Sequence, residues 1–153
     1  METRKTPVSS ETPWHSAFPA PKATVGSVSR STVLEWLSKK DGPLDYVLVD
    51  VRRVDHEGGT ISGSLNLPAQ SFYASRPTVY KLLKQAGIKK AVFYCGSCNG
   101  RGPRAAGWLA DYLQERGDND IQSLILEGGI KGWVKAGGEY VARMDDYDPA
   151  SWK

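Results

Sequence analysis

Hydrophobic residues follow two spacings along this chain, and the shorter apolar runs predict β-strands. These runs are YVLVDV (46–51), AVFYC (91–95) and SLILEGG (123–129), with a shorter strand at SLNLP (64–68). Continuous apolar runs of this length are typical of strands that are buried on both faces, as in a parallel sheet.

Longer segments repeat their apolar residues at the helical spacing. SRSTVLEWLSKK (29–40) opens with a serine that can cap a helix, and Asp41-Gly42-Pro43 after it should end that helix. PTVYKLLKQAG (77–87) has Pro77 early and Gly87 at its end. RGPRAAGWLADYLQERG (101–117) and IKGWVKAGG (130–138) are the other predicted helices. Because strands and helices alternate, we expect an α/β domain whose parallel sheet is covered by helices on both faces.

The two ends of the chain lack this pattern. Residues 1–24 are rich in Ser, Thr and Pro and show no period, which predicts a flexible arm before a single domain at 25–142 and a tail at 143–153. Trp14 and Phe18 are large apolar side chains within the arm. Either they pin part of the arm onto the domain, or nothing holds it.

Composition narrows the class of protein. The chain has 153 residues, enough for one good core, and its net charge of +3 comes without a basic run, so we expect no nucleic-acid partner. No stretch approaches the roughly 20 apolar residues of a membrane span, and the N-terminus lacks a signal peptide's apolar core. The two cysteines then favour a reducing compartment, the cytoplasm or the nucleus.

The chemistry concentrates in the loop between the predicted strand 91–95 and the helix from 101. There Gly96, Ser97, Cys98, Asn99 and Gly100 separate Cys95 from Arg101, a C-x5-R spacing. Small residues let successive N–H groups converge on an anion, and the helix N-terminus adds its positive end. We therefore expect Cys95 to have a pKa below that of an ordinary thiol and to act as a nucleophile. Arg101 would hold a tetrahedral oxyanion with two parallel hydrogen bonds.

Other interpretations of this loop compete with the nucleophile. Cys95 is an inert core residue in one of them, and the loop is a glycine turn without function in another. A thioredoxin-like Cys-x-x-Cys also joins a strand to a helix, although it usually follows an early strand. A zinc site would need partners beyond Cys95 and Cys98, and neither His15 nor His56 has suitable spacing, so we expect no metal.

The order of several motifs resembles a rhodanese domain. They are LVDVR (48–52), GGTISGSLNLP (58–68), the strand-ending Cys95 and LEGGIKGW (126–133). The resemblance covers roughly residues 25–140 and implies a single rhodanese-like domain with a mostly parallel five-stranded sheet. It also implies that Asp50 and Arg52 brace the loops around the site.

Within that family, the C-x5-R loop followed by Gly-Pro looks like the M-phase inducer phosphatases and the fungal arsenate reductases. The resemblance implies a substrate of the arsenate or phosphate type, with arsenate first and a tyrosine or dual-specificity phosphatase second. Sulfurtransferases of the family have a loop one residue shorter, which makes sulfur transfer a third interpretation. A non-catalytic anion- or partner-binding module is the alternative from another class.

This chain departs from the family pattern at the site. Tyr94 stands where the family usually has His, Gly100 where the mitotic phosphatases have Glu, and Val51 where they have a second cysteine. A phosphatase would need a general acid from elsewhere, either Glu127, Asp55 or Glu57 or the substrate itself, and for each of the three carboxylates a solvated surface position is the favoured interpretation.

Cys98 is the candidate resolving thiol for arsenate reduction. It lies three positions from Cys95 in the same loop, so it is close enough either to act as the second thiol or to protect Cys95 from overoxidation through a reversible disulfide. Alternatively Cys98 only fills a loop position, and glutathione or glutaredoxin supplies the second thiol. No bound cofactor is expected in either case.

Overall fold

The computed structural model describes residues 14–39, 45–53, 58–97 and 100–152. Its strands are β1 (Gly26–Val28), β2 (Tyr46–Asp50), β3 (Thr60–Ile61), β4 (Leu65–Asn66), β5 (Lys90–Tyr94), β6 (Gln122–Leu126) and β7 (Met144–Asp145). Its helices are α1 (Arg30–Ser38), α2 (Ala69–Ala86), α3 (Arg101–Arg116), α4 (Gly129–Ala136) and α5 (Gly138–Val141). Single 3₁₀ turns cover Trp14–Ala17 and Pro149–Trp152.

Five strands form one sheet in the order β1-β6-β5-β2-β4, and every neighbouring pair is parallel. The predicted five-stranded α/β architecture is therefore confirmed. The carboxyl ends of β5 and β2 meet at one edge, with Asp50 in register with Tyr94. In parallel sheets this edge is where ligands bind.

The two faces of the sheet carry separate cores because side chains alternate along each strand. On β5, Ala91 and Phe93 pack with α2 and α3, whereas Val92 and Tyr94 pack with α1 and α4. Both faces are buried, which explains why the central strands have continuous apolar runs.

Helix α1 begins where the sequence places it. The hydroxyl of Ser29 accepts a hydrogen bond from the Thr32 N–H at 3.2 Å, as expected of an N-cap. The helix ends at Ser38, and the predicted stop at Asp41-Gly42-Pro43 lies outside the described residues.

Helix α2 is longer than predicted, because it starts at Ala69 and contains Pro77 in its interior. The prediction was wrong in placing Pro77 near the helix start. Phe72, Val79 and Leu83 are all buried on the face toward the sheet, so this stripe begins before the proline. A proline disrupts the hydrogen bonds of the preceding turn, but the packing of this face holds both halves of the helix together.

Residues 14–23 of the expected arm lie against α3. Trp14 and Phe18 make edge-to-face contacts with Trp108, whose Nε1–H donates to the Pro19 carbonyl at 2.8 Å. The backbone N–H groups of Lys22 and Ala23 donate to the Asp111 carboxylate, each at 2.8 Å. Of the two alternatives for the arm, the structure supports the one in which Trp14 and Phe18 pin part of it onto the domain.

The segment from residue 143, which was predicted as a tail, packs against the rest of the fold. Strand β7 pairs antiparallel with β3, and the Trp152 Nε1–H donates to the Gly58 carbonyl at 2.9 Å. The Trp152 ring lies 5.9 Å from the Arg52 guanidinium carbon. Among the described residues, no helix combines the length and the apolar content that crossing a membrane requires.

We expect Gly107→Ala to release the arm. A Cβ at Gly107 would lie 2.5 Å from the Pro21 Cβ, so Pro21 must move. At a site without such a clash, replacing glycine by alanine in a helix interior would stabilise the protein by about 1 kcal/mol. Faster proteolysis within residues 14–23, with no gain in thermal stability, is the predicted result, and Gln85→Ala on the exposed side of α2 is the control. A more stable variant with an intact arm would contradict it.

Candidate active site

Cys95 and Arg101 flank the loop at the carboxyl edge of the sheet. Cys95 directly follows β5, and Arg101 is the first residue of α3. Gly96 and Ser97 follow the cysteine, and Gly100 is the residue that precedes the helix. Cys98 and Asn99 lie outside the described residues, so the position of the candidate resolving thiol stays a prediction.

The Cys95 side chain is buried, with 3% of its surface exposed, on the sheet face that α2 and α3 cover. Its Sγ lies 3.5 Å from where a Cβ of Gly102 would stand, so the sulfur faces the first turn of α3. The positive end of a helix favours a thiolate over a thiol.

Helix α4 orients the peptide groups that follow the cysteine. The Ile130 N–H donates to the Cys95 carbonyl at 3.0 Å, and the Lys131 N–H donates to the Gly96 carbonyl at 2.9 Å. In a trans peptide the N–H points opposite to the C=O, so the N–H groups of Gly96 and Ser97 point away from α4. The first turn of α4 thereby satisfies its own unpaired donors and fixes the direction of two loop amides.

Gly129 makes this close approach possible. A Cβ there would lie 2.7 Å from the Cys95 carbonyl oxygen and 2.6 Å from the Gly96 carbonyl oxygen, and its φ is +60°. A side chain is therefore excluded both by the backbone conformation and by the neighbouring peptide groups.

Basic side chains surround this edge of the sheet. Arg101 begins α3 and is half-buried, and the Lys131 Cε lies 3.7 Å from the position of a Gly96 Cβ. Arg30, in the first turn of α1, lies over Gly128, because its Nη2 is 2.8 Å from where that residue's Cβ would be. These three basic side chains suit an anionic ligand.

Asp50 and Arg52 form a buried pair at the end of β2. The Arg52 Nη2 donates to Asp50 Oδ2 at 2.6 Å and to the Gly59 carbonyl at 2.9 Å, and Arg52 Nε donates to Asp50 Oδ1 at 2.9 Å. The Asn66 amide donates to the carbonyls of both residues at 3.0 and 2.8 Å. These bonds tie the end of β2 to the segment 58–66.

Tyr94 lies on the opposite sheet face from Cys95. Its hydroxyl is 2.7 Å from both Thr60 Oγ1 and Ser64 Oγ, and it accepts a hydrogen bond from the Ile61 N–H at 3.3 Å. Burial raises the pKa of Tyr94 well above its usual range, and the negative charge of Asp50 raises it further. The phenol therefore stays neutral across physiological pH.

Of the three carboxylates considered as general acids, Glu127 alone lies in the described part of the chain. Glu127 is exposed, and its Oε2 accepts a hydrogen bond from the Ser27 hydroxyl at 3.0 Å. Asp55 and Glu57 lie outside the described residues, as does His56. Within the described part of the chain, no three His, Cys, Asp or Glu side chains cluster as metal ligands would.

Several site features escaped the sequence reasoning. Nothing local in the sequence marks the contact of Gly129 with the loop, although the double glycine 128–129 was a usable signal for a close backbone approach. The partners of Tyr94 come from the glycine-rich stretch 58–64, and only a three-dimensional arrangement brings them together.

A family model for the rhodanese-like domain matches residues 33–136, two thirds of the chain. The chain belongs to the rhodanese-like domain family. The match runs from within α1 to the end of α4, so it includes four of the five sheet strands, the Cys95 loop and the first turn of α4, and leaves out β1.

The sequence relatives of this chain are named either as phosphatases or as an arsenical-resistance protein. Dual specificity phosphatase ibp1 of Schizosaccharomyces pombe is 29% identical over 130 residues, 74% of this chain and 91% of the relative. Dual specificity phosphatase Cdc25 of Arabidopsis thaliana is 32% identical over 118 residues, 75% and 79% of the two chains. Arsenical-resistance protein 2 of Saccharomyces cerevisiae is 28% identical over 97 residues, 58% and 74% of the two chains.

Solved structures share the fold. An As-Sb reductase from Leishmania major has a TM-score of 0.72 at 23% identity, covering 79% of this chain and 85% of that one. A yeast protein tyrosine phosphatase of the rhodanese family has a TM-score of 0.70 at 21% identity, covering 86% and 99%. At these identities the likeness establishes the architecture of this rhodanese-like domain and not its reaction.

We expect Gly129→Ala to disturb Cys95 while a matched substitution does not. Both Gly129 and Gly117 have positive φ, so alanine costs about 1–2 kcal/mol at either position. Only at Gly129 does the new Cβ collide with the Cys95 and Gly96 carbonyls, since nothing lies within 4 Å of a Cβ at Gly117. Alkylation of Cys95, located by peptide mass spectrometry, should change at least several-fold in Gly129→Ala alone. Equal rates in the two variants would contradict this role of Gly129.

Proposed function

We propose that this rhodanese-like protein is a thiolate enzyme that reduces arsenate, with Cys95 as the nucleophile. The observation that carries the proposal is the position of the Cys95 sulfur against the first turn of α3. The carbonyls of Cys95 and Gly96 accept hydrogen bonds from α4 and so point toward that helix. Such an arrangement would stabilise a sulfur anion, and it turns the N–H groups of Gly96 and Ser97 away from α4, where a bound anion could meet them.

Backbone N–H groups and one arginine side chain would bind the oxyanion. The N–H groups of the loop would donate to its oxygens, as in an anion nest. The Arg101 guanidinium at the start of α3 would hold two oxygens with parallel hydrogen bonds, a geometry that lysine cannot supply.

The reaction would proceed in two thiol steps. The Cys95 thiolate attacks arsenic, an S–As bond forms, and one arsenate oxygen leaves as water after taking up protons. A second thiol then attacks the Cys95 sulfur, and the S–As electron pair passes to arsenic, which leaves as arsenite. One arsenate and two thiols thus give arsenite, a disulfide and water. Cys98 or glutathione would supply the second thiol, and glutathione or glutaredoxin would reduce the disulfide.

Arsenate suits the described site better than a phosphate ester because its leaving group is hydroxide or water. An alkoxide leaving group gains roughly 10²–10⁴-fold from a general acid. Of the three acids considered, Glu127 is exposed and bonded to Ser27, and Asp55 and Glu57 lie outside the described residues.

A phosphatase is the second candidate, and the sequence relatives favour it. The two relatives that align with about three quarters of this chain are both named dual specificity phosphatases. A cup that binds arsenate also fits phosphate, since both are tetrahedral oxyanions of similar charge.

The decisive assay follows arsenite formation from arsenate by the purified protein with glutathione and glutaredoxin, beside hydrolysis of an aryl phosphate. We expect arsenate reduction that Cys95→Ser abolishes and Arg101→Lys lowers at least tenfold, chiefly through KM, because a point charge replaces a planar fork. Aryl phosphate hydrolysis that depends on Cys95, without arsenite formation, would instead establish the phosphatase. Cyanide-dependent thiocyanate formation from thiosulfate would point to sulfur transfer.

Cys98→Ser separates the two thiol arrangements. If Cys98 is the resolving thiol, the variant should lose at least tenfold in arsenate turnover and keep any hydrolysis of aryl phosphate, because hydrolysis needs one thiol only. Mass spectrometry of the wild-type protein after turnover should then show a Cys95–Cys98 disulfide. Equal arsenate rates with and without Cys98 would assign the second thiol to glutathione or glutaredoxin.

A further inference from the structure

Tyr94 directly precedes the nucleophile in sequence, and its hydroxyl is the centre of a buried network of hydrogen bonds. It lies 2.7 Å from Thr60 Oγ1, 2.7 Å from Ser64 Oγ and 3.3 Å from the Ile61 nitrogen. Thr60 Oγ1 also lies 2.9 Å from Asp50 Oδ2, and Asp50 is paired with Arg52. The sequence singles out Tyr94 only as a departure from the family's histidine.

Each hydroxyl has one hydrogen to donate, and this fixes the direction of every hydrogen bond in the network. An ionised carboxylate only accepts, so the Thr60 hydroxyl donates its one hydrogen to Asp50. The Tyr94 hydroxyl must then donate to Thr60. Its oxygen accepts from the Ser64 hydroxyl and from the Ile61 N–H. The buried phenol is therefore fully satisfied, and its orientation is set by the charge of Asp50.

The same residue is held through its backbone. The Tyr94 carbonyl accepts from the Val51 N–H at 3.0 Å, and the next carbonyl, that of Cys95, accepts from Ile130 at 3.0 Å. The side-chain bonds add a third attachment, to the segment 60–64, on the sheet face opposite the sulfur. The end of β5 is thus fixed from β2, from α4 and from this segment.

We propose that Tyr94 is a positioning residue for Cys95: its hydroxyl, bonded to Thr60, Ser64 and Ile61, holds the end of β5 so that the sulfur stays at the first turn of α3. The proposal rests on the proposed function, in which Cys95 reacts as a thiolate. A nucleophile must be held to about 0.5 Å for efficient reaction, so a small shift of the strand end lowers reactivity without unfolding the protein.

The test compares Tyr94→Phe with Tyr80→Phe. Both keep the ring and lose a hydroxyl, and Tyr80 donates an equally short bond, 2.6 Å to Asp118 Oδ2, between α2 and the end of α3. The Cys95 thiolate pKa is read from the pH dependence of alkylation, followed on the Cys95 peptide by mass spectrometry. We expect this pKa to rise by about half a unit or more in Tyr94→Phe, because the sulfur moves from the helix end, and to be unchanged in Tyr80→Phe.

Turnover supplies the second readout. In Tyr94→Phe, kcat for arsenate should fall at least tenfold with KM within about twofold, because the oxyanion cup is intact and the attacking atom is displaced. If Tyr94→Phe does not fold, Ser64→Ala, which removes one of the donors to the phenol, should shift the thiolate pKa in the same direction by a smaller amount.

An unchanged pKa in both Tyr94→Phe and Ser64→Ala, or an equal change in Tyr80→Phe, overturns the positioning role. Loss of stability without any change at Cys95 overturns it as well, since that is what a purely structural hydroxyl would give. The thiolate pKa is measured without substrate, so it decides the role of Tyr94 even if the wild-type protein turns over no arsenate.

Discussion

The site depends on the contact between the first turn of α4 and the two peptide groups that follow the nucleophile. Two helix donors bond the carbonyls of Cys95 and Gly96, and the approach is close enough that residue 129 must be glycine. Because these carbonyls are turned toward α4, the amides behind them face the other way. The beginning of α4 therefore shapes the loop, and the beginning of α3 faces the sulfur.

The two faces of the sheet contribute different side chains around the nucleophile. Cys95 belongs to the layer of α2 and α3, and Tyr94 belongs to the layer of α1 and α4. The alternation of side chains along a strand allows neighbouring residues to serve a reactive site and a buried polar network without sharing space. The Asp50–Arg52 pair connects that network to the segment 58–66 and to Trp152.

Local signals predicted the parts of this molecule that local sequence determines. The apolar run before Cys95, the small residues after it and the Gly-Pro start of α3 gave the strand, the loop and the helix in the right order. The start of α2 was misplaced because Pro77 looks like a first-turn proline, whereas the stripe through Phe72 shows its true position only against the sheet. The β3–β7 pair escaped prediction because two-residue strands have no period and their partners are distant in sequence. The Tyr94 bonds likewise join residues that only the fold brings together.

The pairing of β7 with β3 and the bond from Trp152 to Gly58 have a consequence for biosynthesis. The segment around Gly58, which Arg52 holds from the other side, gains its last contacts only after residue 152 has left the ribosome. The sheet strands and the Cys95 loop are all translated earlier. A nascent chain can thus assemble its core while the surroundings of the Asp50–Arg52 pair remain open, and residues 144–152 close them once they have emerged.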